Sequence, residues 1–106
     1  HERVVDLLLQ RGAEIDPQNS CGVTALMGAS QQGHERVVDM LMKHGAEINK
    51  QNSDGGTALT LAAQQGHERV VELLLRRGAE INLQDSVGIT ALMDAAHQGH
   101  ERVVEL

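Results

Sequence analysis

The chain contains no phenylalanine, tyrosine or tryptophan. Its largest apolar side chains are Leu, Ile and Met, so burial must come from many modest contacts instead of a few aromatic ones. The 106 residues leave room for one domain and little for a second, and a single bulky hydrophobic centre is not expected. Cysteine occurs once, at Cys21. An intramolecular disulfide is therefore excluded, and a reducing compartment, intracellular and cytoplasmic, is the expected setting. Basic residues are few: 9 Lys and Arg stand against 15 Asp and Glu, for a formal net charge of -6. That balance argues against a nucleic-acid partner, which requires clustered Lys and Arg to release phosphate counterions, and favours a basic or amphipathic one. No run approaches eighteen consecutive apolar residues, so no membrane span is expected. The start, His1-Glu2-Arg3-Val4-Val5, lacks the charged region, apolar segment and cleavage site of a signal peptide.

What is abundant is self-similarity. His-Glu-Arg-Val-Val begins at His1, His34, His67 and His100, a spacing of 33 residues. Thr24, Thr57 and Thr90 keep the same step, as do Gly22, Gly55 and Gly88, and Gly12, Gly45 and Gly78. Residues 18–50 laid over 51–83 agree at 22 of 33 positions without a gap. The copies arose by duplication or by consensus design, and a fixed period of this length is the mark of a repeat architecture.

Each copy predicts two short helices and a loop. Thr24 is suited to cap a helix from Ala25 to about Gln31, because its hydroxyl can accept from an unpaired backbone N–H. Gly33 breaks that helix. A second is expected from about Glu35 to His44, with Val37, Val38, Leu41 and Met42 as an apolar stripe and Glu35, Arg36, Asp39 and Lys43 facing away. Gly45 closes it in a left-handed conformation. Residues 46–56 are dense in turn formers and predict a hairpin-like loop. Helices this short cannot bury their apolar faces alone and must stack on neighbouring copies as a solenoid.

The run Asp54-Gly55-Gly56-Thr57-Ala58-Leu59-Thr60-Leu61-Ala62-Ala63-Gln64-Gln65-Gly66-His67 resembles the ankyrin repeat. So do Val70-Val71, Leu73-Leu74-Leu75 and Gly78-Ala79-Glu80-Ile81-Asn82 that follow. The resemblance covers the whole chain and implies an all-α solenoid of stacked helix-turn-helix units joined by hairpin-like loops. It divides a single domain, 1–106, into a partial repeat (1–17), two full repeats (18–50 and 51–83) and a second partial repeat (84–106). One departure recurs. Where the family has Thr-Pro-Leu-His, this chain has Thr24-Ala25-Leu26-Met27, Thr57-Ala58-Leu59-Thr60 and Thr90-Ala91-Leu92-Met93. The pre-set proline angle and the histidine bond to the Thr hydroxyl are lost, which predicts lower local rigidity without loss of the fold.

No metal, cofactor or catalytic constellation is expected. Stacked helices lie roughly 8–10 Å apart, whereas nitrogens sharing a zinc ion each lie about 2 Å from it, so His34, His67 and His100 cannot hold one ion. The resemblance implies that this histidine hydrogen-bonds backbone across the loop. His97 and His100 straddle Gly99 and make no dependable chelate. Cys21 has no acid–base partner in its turn and predicts an exposed spectator. Asp54-Gly55-Gly56 lacks the lysine of a phosphate-cradling loop and is turn chemistry. Glu35, Arg36, Asp39 and Lys43, with Glu68, Arg69, Glu72 and Arg76, read as a solvated outer face with i,i+4 pairs Asp39–Lys43 and Glu72–Arg76.

The differences between copies are concentrated. The second helix changes mildly, whereas the hairpin and first helix change radically: Cys21, Asp54 and Val87 share one column, Val23, Gly56 and Ile89 another, and Gly28, Leu61 and Asp94 a third. The resemblance implies that partners bind there, through hairpin tips and first helices on the concave face, together with Gln31, Gln64 and His97 and with Gln32, Gln65 and Gln98. The expected function is a protein-protein interaction module with Leu61, Val87 and Ile89 as apolar anchors. A spacer in a longer array, or an engineered near-consensus scaffold, is the alternative, and the absence of Trp and Tyr favours it. Asn49 and Asn82, each ending Glu-Ile-Asn, resemble the ankyrin asparagine hydroxylated by a 2-oxoglutarate-dependent oxygenase, with hydrogen bonding of the loop as the alternative role. Neither end reads as a polar capping repeat. Val4, Val5 and Leu8 at one end, and Val103, Val104 and Leu106 at the other, are expected to be poorly covered and to give weak head-to-tail association or fraying.

Overall fold

The computed structural model describes residues 2–105, the side chains of Glu101 and Val103 excepted. Seven helices run through them: α1 (Glu2–Gln10), α2 (Ala25–Gln32), α3 (Glu35–Lys43), α4 (Ala58–Gln65), α5 (Glu68–Arg76), α6 (Ala91–Gln98) and α7 (Glu101–Glu105). No strand occurs among the described residues.

Local chemistry sets each boundary. The hydroxyls of Thr24, Thr57 and Thr90 accept from the backbone N–H three residues on and start α2, α4 and α6. In the middle copy the Thr60 hydroxyl also accepts from the Thr57 N–H at 2.7 Å, so the two threonines cap each other. Met27 and Met93, in the same column as Thr60, have no hydroxyl to make this bond. Gly33, Gly66 and Gly99 end the same helices in the left-handed region, φ 75–76°.

Two rows of helices result. The first helices of successive repeats, α2, α4 and α6, pack side by side; α1, α3, α5 and α7 form the second row. Each first helix also packs on the second helix that follows it. The core lies between the rows. Leu26, Leu59, Val38, Val70 and Leu74 are almost wholly buried there, and Ala62, Ala63 and Ala95 let the first helices approach closely. Small residues thus do what aromatic ones would do in a deeper core: they remove the space instead of filling it. The stack measures 40 × 26 × 21 Å.

The outer row carries the expected ion pairs, Lys43–Asp39 at 3.0 Å and Arg76–Glu72. It also carries pairs between repeats, Arg77–Asp39 at 3.2 Å and Arg102–Glu68 at 2.9 Å. Each has at least one exposed partner and none is buried, so each contributes little. On α1, Val4 and Leu8 are about half exposed, joined by Leu7, whereas Val5 packs partly against the core. Val104 is 42% exposed; the side chains of Val103 and Leu106 lie outside the described residues.

Candidate partner-binding surface

The hairpin tips are built by one recurring side-chain device. Asn19 Oδ1 accepts from the N–H groups of Cys21 and Val23, Asn52 Oδ1 from those of Asp54 and Gly56, and Asp85 Oδ1 from those of Val87 and Ile89, all at 2.9–3.0 Å. Each tip is then tied to the next through backbone. The Ser53 N–H donates to the Cys21 carbonyl at 2.9 Å, and the Ser86 N–H to that of Asp54 at 2.8 Å. Gln18 and Gln51 add a second tie, their carboxamides donating to the carbonyls of Gln51 and Gln84. The approach is close enough that a methyl group on Gly55 would lie 2.7 Å from the Ser86 nitrogen.

Three columns singled out by variation take different places on this frame. Cys21, Asp54 and Val87 are exposed along the row of tips, Val87 at 79%. Val23 and Ile89 are partly buried, and Gly56 is buried, so this column offers less surface than the first. Gly28, Leu61 and Asp94 are partly buried on the first helices. Gln31, Gln32, Gln65, His97 and Gln98 are exposed and Gln64 partly so. Met93 is 49% exposed on α6, whereas its counterparts Met27 and Thr60 are buried.

The electrostatics of the surface are one-sided. Residues 18–32, 51–65 and 84–98, which make the tips and first helices, hold Asp54, Asp85, Asp94 and His97 but no Lys or Arg. Burial lifts the Asp94 carboxyl above its ordinary range, the nearby charge of Asp85 pushes it the same way, and His97 partly opposes both.

The remaining candidates have structural partners. His67 Nε2 lies 2.9 Å from the Gln31 carbonyl oxygen and His100 Nε2 2.9 Å from that of Gln64. The histidine thus joins two repeats, reaching the end of the preceding first helix. Asn49 Oδ1 accepts from the Glu80 N–H at 2.8 Å, and Asp16 in the same column accepts from that of Glu47 at 3.0 Å. Asn82 is exposed. Cys21 is a free thiol. Among the described residues no three His, Cys, Asp or Glu side chains are grouped to hold a metal ion, and no helix is long and apolar enough to cross a membrane.

The residues that organise the tips, Gln18, Gln51 and Gln84 with Asn19, Asn52 and Asp85, escaped the sequence reading. Their signal was available, since both columns recur every 33 residues. A family model described as ankyrin repeats (3 copies) matches residues 1–85 and 54–106. No curated protein matches the chain.

Proposed function

The chain belongs to the ankyrin-repeat family, and we propose from that premise that it binds a protein partner through the row of hairpin tips and the first helices. Repeats of this family are generally protein-interaction modules. One observation carries the finer reading: the tip positions that vary most, Cys21, Asp54 and Val87, are exposed and have no part in the hydrogen bonds that fix the tips except through their backbone. Side chains free of structural duty, aligned on one edge of a rigid stack, are suited to read a partner. The site residues proposed are Cys21, Asp54 and Val87, flanked by Gln31, Gln32, Gln64, Gln65, Asp94, His97 and Gln98.

Affinity capture from cell lysate with the chain and with a Val87→Asp/Asp54→Lys variant tests this. Both positions are exposed, so the variant should melt like the parent, whereas Asp at the partly buried Leu61 or Ile89 would disturb packing as well. Partners retained by the parent and lost by the variant are expected. Partners held equally by both overturn this surface, and no specific partner at all favours the spacer reading.

A further inference from the structure

We infer that the segment seated on this surface is a peptide carrying Lys or Arg beside an apolar residue. The inference rests on the partner-binding reading above and adds the chemistry of the partner.

Charge is partitioned across the molecule. Of the nine basic residues, Arg3, Arg11, Arg36, Lys43, Arg69, Arg76, Arg77 and Arg102 lie on the outer helices or in the turns directly after them. The ninth, Lys50, is 4.0 Å from Glu47 and 3.5 Å from the Asp16 carbonyl oxygen. Every ion pair among the described residues involves these groups: their acidic members are Glu2, Asp39, Glu47, Glu68 and Glu72. Five acids outside the tips and first helices are thus answered by a cation of the chain, whereas Asp54, Asp85 and Asp94 are in no ion pair among the described residues and no Lys or Arg stands on their surface to make one.

Asp94 gives this asymmetry its sharpest form. It is partly withdrawn from water, and the other acid acting on it is Asp85. His97 is the only group of the same element that opposes them. A cation arriving from a partner would stabilise the ionised carboxyl and so offset both its burial and the like charge of Asp85. Val87 supplies the apolar element of the surface, 79% exposed beside Asp85 and in line with Asp54. A nucleic acid or an anionic membrane would be repelled by the same three carboxylates. No aromatic anchor is present to add to the contact, so specificity and encounter rate should depend on charge.

A random dodecapeptide display selection against the 106-residue chain, followed by fluorescence anisotropy of the enriched peptides, tests the inference. Enriched peptides should carry net positive charge and an apolar residue. Their Kd should rise about threefold for Asp94→Asn and about tenfold for Asp54→Lys, and should weaken with added salt. Glu35→Lys on the outer helix should leave Kd unchanged. Neutral or acidic peptides whose binding is still weakened by Val87→Asp overturn the charge inference and leave the binding surface standing. Basic peptides weakened as much by Glu35→Lys as by Asp54→Lys reveal non-specific attraction and overturn it as well. Peptides indifferent to Asp54→Lys, Asp94→Asn and Val87→Asp, or no enrichment at all, overturn the inference and the surface together.

Discussion

The imidazole of His67 rests against Gly33 while its Nε2 meets the Gln31 carbonyl oxygen at 2.9 Å. Gly33 is required twice over: its φ is +76°, and a methyl group there would lie 2.7 Å from His67 Nδ1. Gly33→Ala should therefore cost about 2 kcal/mol, roughly half from the left-handed backbone and half from the displaced ring. His67→Ala should cost about 1 kcal/mol through the lost hydrogen bond. The double variant should be less destabilised than the two together, because the ring that alanine would strike is gone. Urea unfolding of the three variants measures the difference, and strict additivity would dissociate the two residues.

Ser30 is wholly buried, and its hydroxyl has no hydrogen-bond partner among the described residues. The same column holds Ala63, also wholly buried, in the next copy. Alanine therefore fits the site, and Ser30→Ala should stabilise the chain by about 1 kcal/mol through relief of the unmet hydroxyl and better helix propensity. A lower denaturation midpoint would show that the hydroxyl has a partner.

Asp94 predicts a pH dependence of definite sign. Its carboxyl is raised by burial and by Asp85, so the folded chain holds this proton more tightly than the unfolded chain. Stability falls as pH rises from the unfolded value, about 3.9, through the raised folded value. Asp94→Asn should thus be more stable than the parent at neutral pH, with the advantage shrinking as pH falls through the folded value and gone below the unfolded one. Thermal melts from pH 3 to 7 follow the gap, and a gap that widens toward acid contradicts the assignment.

Both Glu-Ile-Asn asparagines are exposed, and Asn49 Oδ1 accepts from the Glu80 N–H. A 2-oxoglutarate-dependent asparaginyl oxygenase acting on this chain should add one oxygen to Asn49 or Asn82. Peptide mass spectrometry at full coverage detects the gain, and unmodified peptides count against the modification. Asn49→Ala should in turn destabilise the stack by about 1 kcal/mol.

Val4, Leu7 and Leu8 leave half their surface in water along α1. Such a stripe favours weak, concentration-dependent association of the 106-residue chain. Light scattering over a wide dilution series checks it; a mass that stays monomeric at the highest concentration means that the stripe is tolerated in water.

The fold is legible in the period of 33, since Thr24, Gly33 and the Val37–Met42 stripe each dictate a helix boundary or a buried face through local chemistry. Contacts between repeats were harder to foresee. The bond from Asn49 to Glu80 spans 31 residues and that from His67 to Gln31 spans 36, and neither partner is marked as such by its neighbours in sequence. The candidate surface was legible as variation but not as exposure: Gly56 and Val87 vary equally, yet one is buried and the other stands out at 79%. Variation reports where packing is permissive, and only the arrangement of neighbouring tips decides which permissive positions face outward.

The tips are joined by backbone N–H groups and Gln side chains, and each is shaped from within by an Asn or Asp side chain at a fixed column. Positions 21, 54 and 87 therefore stand like type set in a locked frame. Any one letter can be exchanged without moving the next, and new recognition can be written one repeat at a time while the register of the whole line is held by groups that the exchange never touches.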